Sequence, residues 1–308
     1  MTILNIQLSP FRKEHETTYN MLRKLQPADL EKSIDQGGHG GTVRIKKAIN
    51  GQYLFLKPKI ADGTEARNYK IINNNKMVAR WMPKVYGEIR INGQSFLVME
   101  NIRKSNDGVE LPQLADIKLA GKVKGLKKTI ANSKEMRVTR GKTKSLTTKL
   151  WMKLVTSLSP GYLLTDGGIR LFDYINSKKI LKRSLSSIST RHLHKLLADL
   201  TELRNDLKRS GIALIGASIV LIHLKDGSLR PVLIDPAHIQ CSNALKGQIS
   251  KTIGKQESQK VFYECLTSQG KNQYRLHKAS NVIALHLIGL EVQKMLAKRE
   301  AEEIAKGT

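Results

Sequence analysis

The chain has 308 residues, 40% apolar and 5% aromatic, enough for one large domain or two modest lobes, which argues against a fibre or a disordered tail. Its 53 lysines and arginines face 26 acids, a formal charge of +27, so it must attract polyanions: nucleic acid, anionic lipid or soluble polyphosphate. Two cysteines, Cys241 and Cys265, are too few for a disulfide framework and lack metal-site neighbours, which points to a reducing, cytoplasmic compartment.

Met1 to Arg12 carries no charged segment followed by a long apolar run, and no stretch reaches bilayer-spanning length, so neither a leader nor membrane insertion is expected. After a short helix in the polar start, the cluster Gly37-Gly38-His39-Gly40-Gly41 reads as a loop leading into a strand over Thr42–Ile49. Asn50-Gly51 supplies tight-hairpin chemistry, and Gln52–Lys57 reads as the returning strand. A glycine loop placed there suits a cover for phosphate. A helical pattern follows from Gly63 to Ile72, then a second hairpin with strands Val85–Ile91 and Ser95–Met99 about Asn92-Gly93. Hairpin, helix, hairpin is the make-up of a small sheet lobe carrying one helix.

From Lys118 to Lys153 the chain is densely basic, with Lys122, Lys124, Lys127, Lys128, Lys134, Arg137 and Arg140 among its cations and Glu135 nearly alone among acids. Binders of single-stranded nucleic acid interleave such charge with aromatic stacking platforms, which are sparse here. The composition favours a phosphate-only ligand over bases, without excluding nucleic acid. Leu193, Leu196, Leu197, Leu200, Leu203 and Leu207 then give a helical repeat over Thr190–Ser210, with Ser189 or Thr190 as cap and Gly211 as stop. Apolar strands over Ala213–His223 and Arg230–Ile234 join through Asp226-Gly227, and the C-terminal third reads as helix, with Val282–Leu290 on an amphipathic, core-packing face. No repeat or low-complexity linker marks a boundary.

Phosphoryl transfer from ATP needs a cation on the triphosphate, an acid to hold that cation, a metal-binding carboxylate and a group that orients the acceptor. Lys57 at a strand end and Glu65 early on the next helix suit the first two roles, although this pairing alone is commonplace. Pro112-Gln113-Leu114-Ala115-Asp116-Ile117-Lys118 and Ile234-Asp235-Pro236-Ala237-His238 each set an acid in or beyond an apolar stretch, with a basic group two or three positions on. Taken singly, Asp116 with Lys118 is an exposed strand-end pair worth little, and His238 a hydrogen-bonded core histidine.

Together these segments resemble the inositol polyphosphate kinase family. Pro112 with Asp116-Ile117-Lys118 resembles its Pro-x-x-x-Asp-x-Lys-x-Gly signature, and Ile234–His238 its Ile-Asp-Phe-Ala-His block. Ala217-Ser218-Ile219-Val220 is similar to its Ser-Leu-Leu element, and Asp35-Gln36-Gly37-Gly38-His39 to its Gln-x-x-Gly-His loop; all fall in family order between Ile34 and Leu296. The resemblance implies an α+β, two-lobe kinase-like fold with antiparallel sheets and flanking helices. An ATP-binding lobe would span 1–101, and a larger lobe 102–308 would carry a basic substrate-binding segment, 118–153.

By the same resemblance, Lys57 would contact ATP phosphates, Glu65 would hold it, and the backbone from Glu100 to Ile102 would read adenine. Asp116 would bind the ribose, Asp235 would hold Mg2+ with Ser218 nearby, and Lys118 would contact the transferred phosphate or the acceptor hydroxyl. His238 would face the inositol, and Lys122, Lys124 and Lys128 would meet the phosphates of an inositol polyphosphate through charge-assisted hydrogen bonds. Asp116, Asp235, Lys57 and Lys118 must then converge around one nucleotide. Ala120 stands where the family pattern has glycine, Asp35 replaces its leading Gln and Pro236 its Phe; none removes a charged group. The resemblance implies a phosphotransferase; a monomer is expected, in the cytoplasm by its cysteine count or, by its high charge, secreted to work among polyphosphates in a host cytosol. A kinase acting on protein or phosphoinositide lipid, or a weakly active polyanion-binding protein, are the alternative readings.

Overall fold

The computed structural model describes residues 6–11, 15–32, 42–59, 64–119, 178–179, 181–236, 238–266 and 268–307. The glycine cluster at 37–41 and the basic positions Lys122, Lys124 and Lys128 lie outside this set. Among the described residues the chain is α+β with antiparallel sheets.

Strands β1 (Ile6–Pro10), β2 (Leu30–Lys32), β3 (Val43–Ile45), β4 (Leu54–Pro58), β5 (Val85–Ile91) and β6 (Gln94–Glu100) form one antiparallel sheet in the order β1-β5-β6-β4-β3-β2. Both predicted hairpins form. Asn50 and Gly51 have φ of 51° and 72°, and Asn92 and Gly93 have 49° and 84°, the pair of left-handed residues that matches a tight turn to strand twist. Alternation along β4 then divides the sheet's faces. Leu54 and Leu56 pack with Ile89, Phe96 and Val98 against Tyr19 and Leu22 of α1 (Glu16–Leu22), while Phe55 packs into the main core and Lys57 faces Glu65 of α2 (Thr64–Asn73). β1 and β2 had no strand signal of their own, and β3 is shorter than the run expected to Ile49. A four-residue α3 (Lys76–Ala79) follows α2, capped by the Asn75 side chain.

Beyond β6 come β7 (Gln113–Lys118), α4 (Thr190–Arg209), β8 (Ile212–Ile215), β9 (Ser218–His223), β10 (Leu229–Ile234) and β11 (His238–Cys241). Three helices complete the described chain: α5 (Lys246–Ile253), α6 (Lys255–Leu266) and α7 (Ser268–Gly307). In α4 the Ser189 side chain accepts from the His192 N–H, Leu193, Leu196, Leu200, Leu203 and Leu207 are buried, and Gly211 follows with φ 71°. The repeat and its punctuation thus act as expected.

The single strand expected over Ala213–His223 is corrected by the structure. Gly216, at φ 77°, breaks it into β8, which pairs with β11, and β9, which lies between β7 and β10 in a three-stranded sheet. A left-handed glycine lets the chain leave one sheet and enter another within two residues. β11 likewise interrupts a stretch expected to be helical.

Asn281 of α7, fully buried, accepts from the Leu214 N–H at 2.9 Å and donates to the Leu214 carbonyl at 3.0 Å. Its amide stands in for a neighbouring strand at β8. Asn281→Leu leaves both groups of Leu214 dry and unpaired, so it should lower unfolding stability by about 2 kcal/mol. Urea unfolding with an unchanged m-value checks this.

α7 packs along α4, and Gly289 faces Leu197 across a hollow of about 230 Å3. A Cβ there would sit 3.7 Å from Leu197 Cδ1, an ordinary contact. Gly289→Ala should therefore raise stability by about 0.5–1 kcal/mol through helix propensity, read as a higher Tm. No helix among the described residues is long and apolar enough to cross a membrane.

Candidate active site

The three-stranded sheet has two unlike faces. Ala115 and Ile117 of β7, Ile219 and Leu221 of β9 and Leu233 of β10 enter the main core. The opposite face carries Val220, Ile222, Val232 and Ile234, which cluster with Leu111 and with Ile102, two residues past the end of β6. An apolar floor thus lies beside the strand end where the first sheet hands the chain to the second. Ile102 and Ile234 are its half-buried members, while Val220, Ile222 and Val232 are fully buried.

Register sets polar groups at the rim of that floor. Asp116 pairs with Val220, which pairs with Val232, so directly opposed side chains share one face. Asp116 is exposed. Ser218 is opposed to Lys118 on one side and Ile234 on the other. Its hydroxyl is fully buried, with no hydrogen-bond partner among the described residues. Lys118 is placed by its backbone only; its side chain lies outside the described set.

Asp235 follows β10 with φ 51°, a left-handed conformation that Asp tolerates better than most residues and that structures retain where something holds it. Here α2 holds it. Lys57 Nζ donates to Glu65 Oε1 at 2.7 Å and to Asp235 Oδ1 at 2.6 Å. Asn68 Nδ2 donates to the Pro236 carbonyl at 3.0 Å, and the Tyr69 hydroxyl accepts from the Asp235 N–H. Glu65, Asn68 and Tyr69 are i, i+3 and i+4, one face of a helix. All three are buried, whereas the Asp235 side chain is 47% exposed and opens to solvent.

Burial acts to lower the Lys57 pKa, but the Asp235 and Glu65 carboxylates more than offset it, leaving the ammonium above its ordinary 10.5. Lys57 is therefore a cation throughout the neutral range. Burial, reinforced by Glu65 and Asp235, pushes the Tyr69 phenol well above its ordinary value and keeps it neutral.

At the strand crossing, the Glu100 carboxylate accepts from the Lys84 N–H at 3.0 Å and pairs with Arg230 at 2.9 Å. The amides of Glu100 and Asn101 are taken by the carbonyls of Lys84 and Tyr53 at 2.8 Å each. Of the three residues expected to read adenine, only Ile102 keeps an amide that no described hydrogen bond occupies. His238 begins β11 opposite Ile215, half-buried and three residues past Asp235.

Lys57, Glu65 and Asp235 are thus brought into direct contact from sequence positions up to 178 apart. Asp116 and Lys118 stand two strands from β10, at roughly 10 Å by sheet spacing. Asn68, Tyr69 and Arg230 were not anticipated. The first two carried a signal in their spacing from Glu65; Arg230 carried none.

The Asp235 carboxylate, half open to solvent and one residue beyond the strand partner of the unsatisfied Ser218 hydroxyl, fits a magnesium ion carried on a triphosphate. Such an ion keeps waters and phosphate oxygens as ligands and needs only one or two protein carboxylates. The described residues contain no cluster of three or more His, Cys, Asp or Glu that would cage a metal by themselves.

No family model matches the chain, and no curated protein matches its sequence. Among solved structures it is similar to the inositol phosphate multikinase Ipk2 of S. cerevisiae, solved in complex with ADP and Mn2+, at 16% identity and a TM-score of 0.44. The match covers 79% of this chain and 99% of that one.

Proposed function

We propose that the protein is an ATP-dependent kinase that phosphorylates a hydroxyl of a soluble inositol polyphosphate. The observation that carries the reading is the Lys57 ammonium held between Glu65 and Asp235, where Asp235 directly follows Ile234 of the apolar cluster that includes Ile102, Val220 and Val232.

In this reading adenine lies on the apolar floor and is read by the Ile102 amide and the Glu100 carbonyl, while exposed Asp116 takes the ribose hydroxyls. Lys57 neutralises triphosphate charge, and Glu65 keeps its ammonium aimed at the cleft. Asp235 with Ser218 would hold Mg2+, which supplies charge neutralisation on the phosphate oxygens. The acceptor oxygen bonds to the γ-phosphorus and releases its proton to the phosphate oxygens or water, as the bridging oxygen leaves with its electron pair on ADP, in a reaction that asks little covalent help of the protein. Lys118 would steady the transferred group or the acceptor hydroxyl, and His238 would face the ring. The chain's part is therefore positioning and electrostatics.

The acceptor class rests on charge and on the motif resemblance. A net +27 with a basic run at 118–153 suits a compact ligand carrying many phosphates, and Lys122, Lys124 and Lys128 are assigned to them. The segment 1–101 then forms the ATP-binding lobe, and 102–308 a larger lobe that completes the nucleotide site and carries the acceptor-binding segment 118–153.

Purified protein incubated with ATP, Mg2+ and a panel of inositol phosphates, a phosphoinositide lipid and a basic protein tests this. Transfer of labelled γ-phosphate to a soluble inositol phosphate is the expected result. Transfer only to lipid or protein moves the assignment to that acceptor, and no transfer to any of them removes it.

A further inference from the structure

Where α4 ends, an open trough of about 630 Å3 runs between its last turn and α7. Lys208 and Arg209 form one wall and Arg275 and Lys278 the other, with no carboxylate among the described lining residues. Arg209 is shared with Asp206, which is itself buried behind the wall. The floor is apolar: Val282 is half-buried, and Ile283, 46% exposed, is one of the few large apolar side chains open to solvent among the described residues. Lys278 lies over the Tyr274 ring, 5.5 Å from its centroid.

We propose that this trough docks an acidic, amphipathic segment of a partner protein, its carboxylates meeting the four cations and its apolar side chains seated on Val282 and Ile283. Charge complementarity selects an anion, and the floor selects among anions. A soluble polyphosphate would leave Ile283 exposed and place charge over hydrocarbon. A bilayer surface cannot enter a concave groove. An apolar centre within a charged rim is instead the anatomy of a protein interface, and the trough's run from Tyr274 to Ile283, about 14 Å of helix, accepts roughly three turns of a partner helix. Burial lowers the Lys278 pKa, with only partial compensation from Cys241, and an incoming carboxylate would offset that cost. The lining shares no residue with the cleft around Lys57 and Asp235, so the proposal stands apart from the kinase reading.

The test uses the full chain and a fluorescein-labelled helical probe of about three turns, with leucines at i, i+3, i+4 and i+7 and glutamates between. Anisotropy is read at about 0.15 M salt, where diffuse attraction to the basic surface is screened beyond roughly 8 Å. Ile283→Asn should weaken binding about tenfold, as should Arg275→Gln with Lys278→Gln, and serine-for-leucine probes should bind at least about tenfold more weakly. Bound probe should also slow amide exchange across 274–283, a readout on the wild-type chain that survives any misfolding of a variant. Equal binding of the leucine-free probe, or an unaffected Ile283→Asn protein with a native thermal transition, overturns the proposal as diffuse attraction. Tighter, Ile283-dependent binding of tripolyphosphate or phosphatidylserine vesicles overturns it in favour of those ligands.

Discussion

Asp235→Asn should abolish magnesium-dependent phosphoryl transfer while leaving the fold intact. The substitution isolates charge. Asparagine tolerates the left-handed conformation recorded at φ 51° nearly as well as aspartate, and its amide oxygen can still accept from Lys57. The Asn68 bond to Pro236 and the Tyr69 bond to the 235 N–H involve backbone atoms of the turn, so the turn keeps its shape. The carboxylate is 47% exposed, and Lys57 retains Glu65, so the loss of one ion pair should shift Tm by only a few degrees. What disappears is the anionic ligand proposed for the divalent ion. Removing one electrostatic stabiliser of a transition state commonly costs about 10²–10³ in kcat, and loss of a metal ligand should cost at least that. Steady-state kinetics beside a thermal melt checks both halves. Retained turnover would remove Asp235 from the metal site.

Lys57→Met should behave differently, failing in stability as well as in turnover. Glu65 is only 5% exposed, its Oε1 accepts from Lys57, and its Oε2 has no partner among the described residues. Methionine fills the volume of the lysine stem but strands a buried carboxylate, and breaking such a pair from one side typically costs about 3–5 kcal/mol. The value expected here is about 3 kcal/mol, since the Lys57 side chain is 25% exposed and water can reach the gap. Lys57→Met combined with Glu65→Gln should recover much of that stability and none of the activity, which separates the structural debt from the chemical one. Urea unfolding of the two single variants and the double variant, analysed as a cycle, measures it.

The pH dependence follows from sign. Because the folded Lys57 pKa is raised above 10.5, its stabilising contribution is complete below that value and is lost only as pH climbs through the higher folded value. This group contributes no slope to stability across the neutral range.

What the sequence disclosed depended on how local the determinant was. Asn50-Gly51 and Asn92-Gly93 specify their turns within two residues, and the leucine spacing of α4 specifies a helix face, so both were legible. The break at Gly216 was not, because Ala213–Ile215 and Ile219–Leu221 are buried on both faces and read as one apolar run. Only the choice of partners, β11 for one half and β7 with β10 for the other, separates them. β1 was silent for a similar reason: its strand character comes from pairing with β5 from Ile6–Ile91 to Pro10–Gly87. At the site, Lys57 and Glu65 were legible as a strand-end lysine and an early helical acid. Asn68 and Tyr69 act on a turn some 170 residues away, and nothing in local propensity announces a contact of that range. Arg230 reads as an ordinary strand cation until its register brings it to Glu100.

Whether Lys57 and Asp235 flank a single nucleotide is tested most directly by a crystal structure with a non-hydrolysable ATP analogue and Mg2+. The expected electron density places adenine against the half-buried Ile102 and Ile234, the triphosphate against Lys57, and the metal between Asp235 and the phosphates, with the Lys57–Asp235 bond opened to admit them. A nucleotide bound elsewhere, or a Lys57–Asp235 pair still closed at 2.6 Å beneath a fully occupied analogue, would contradict it.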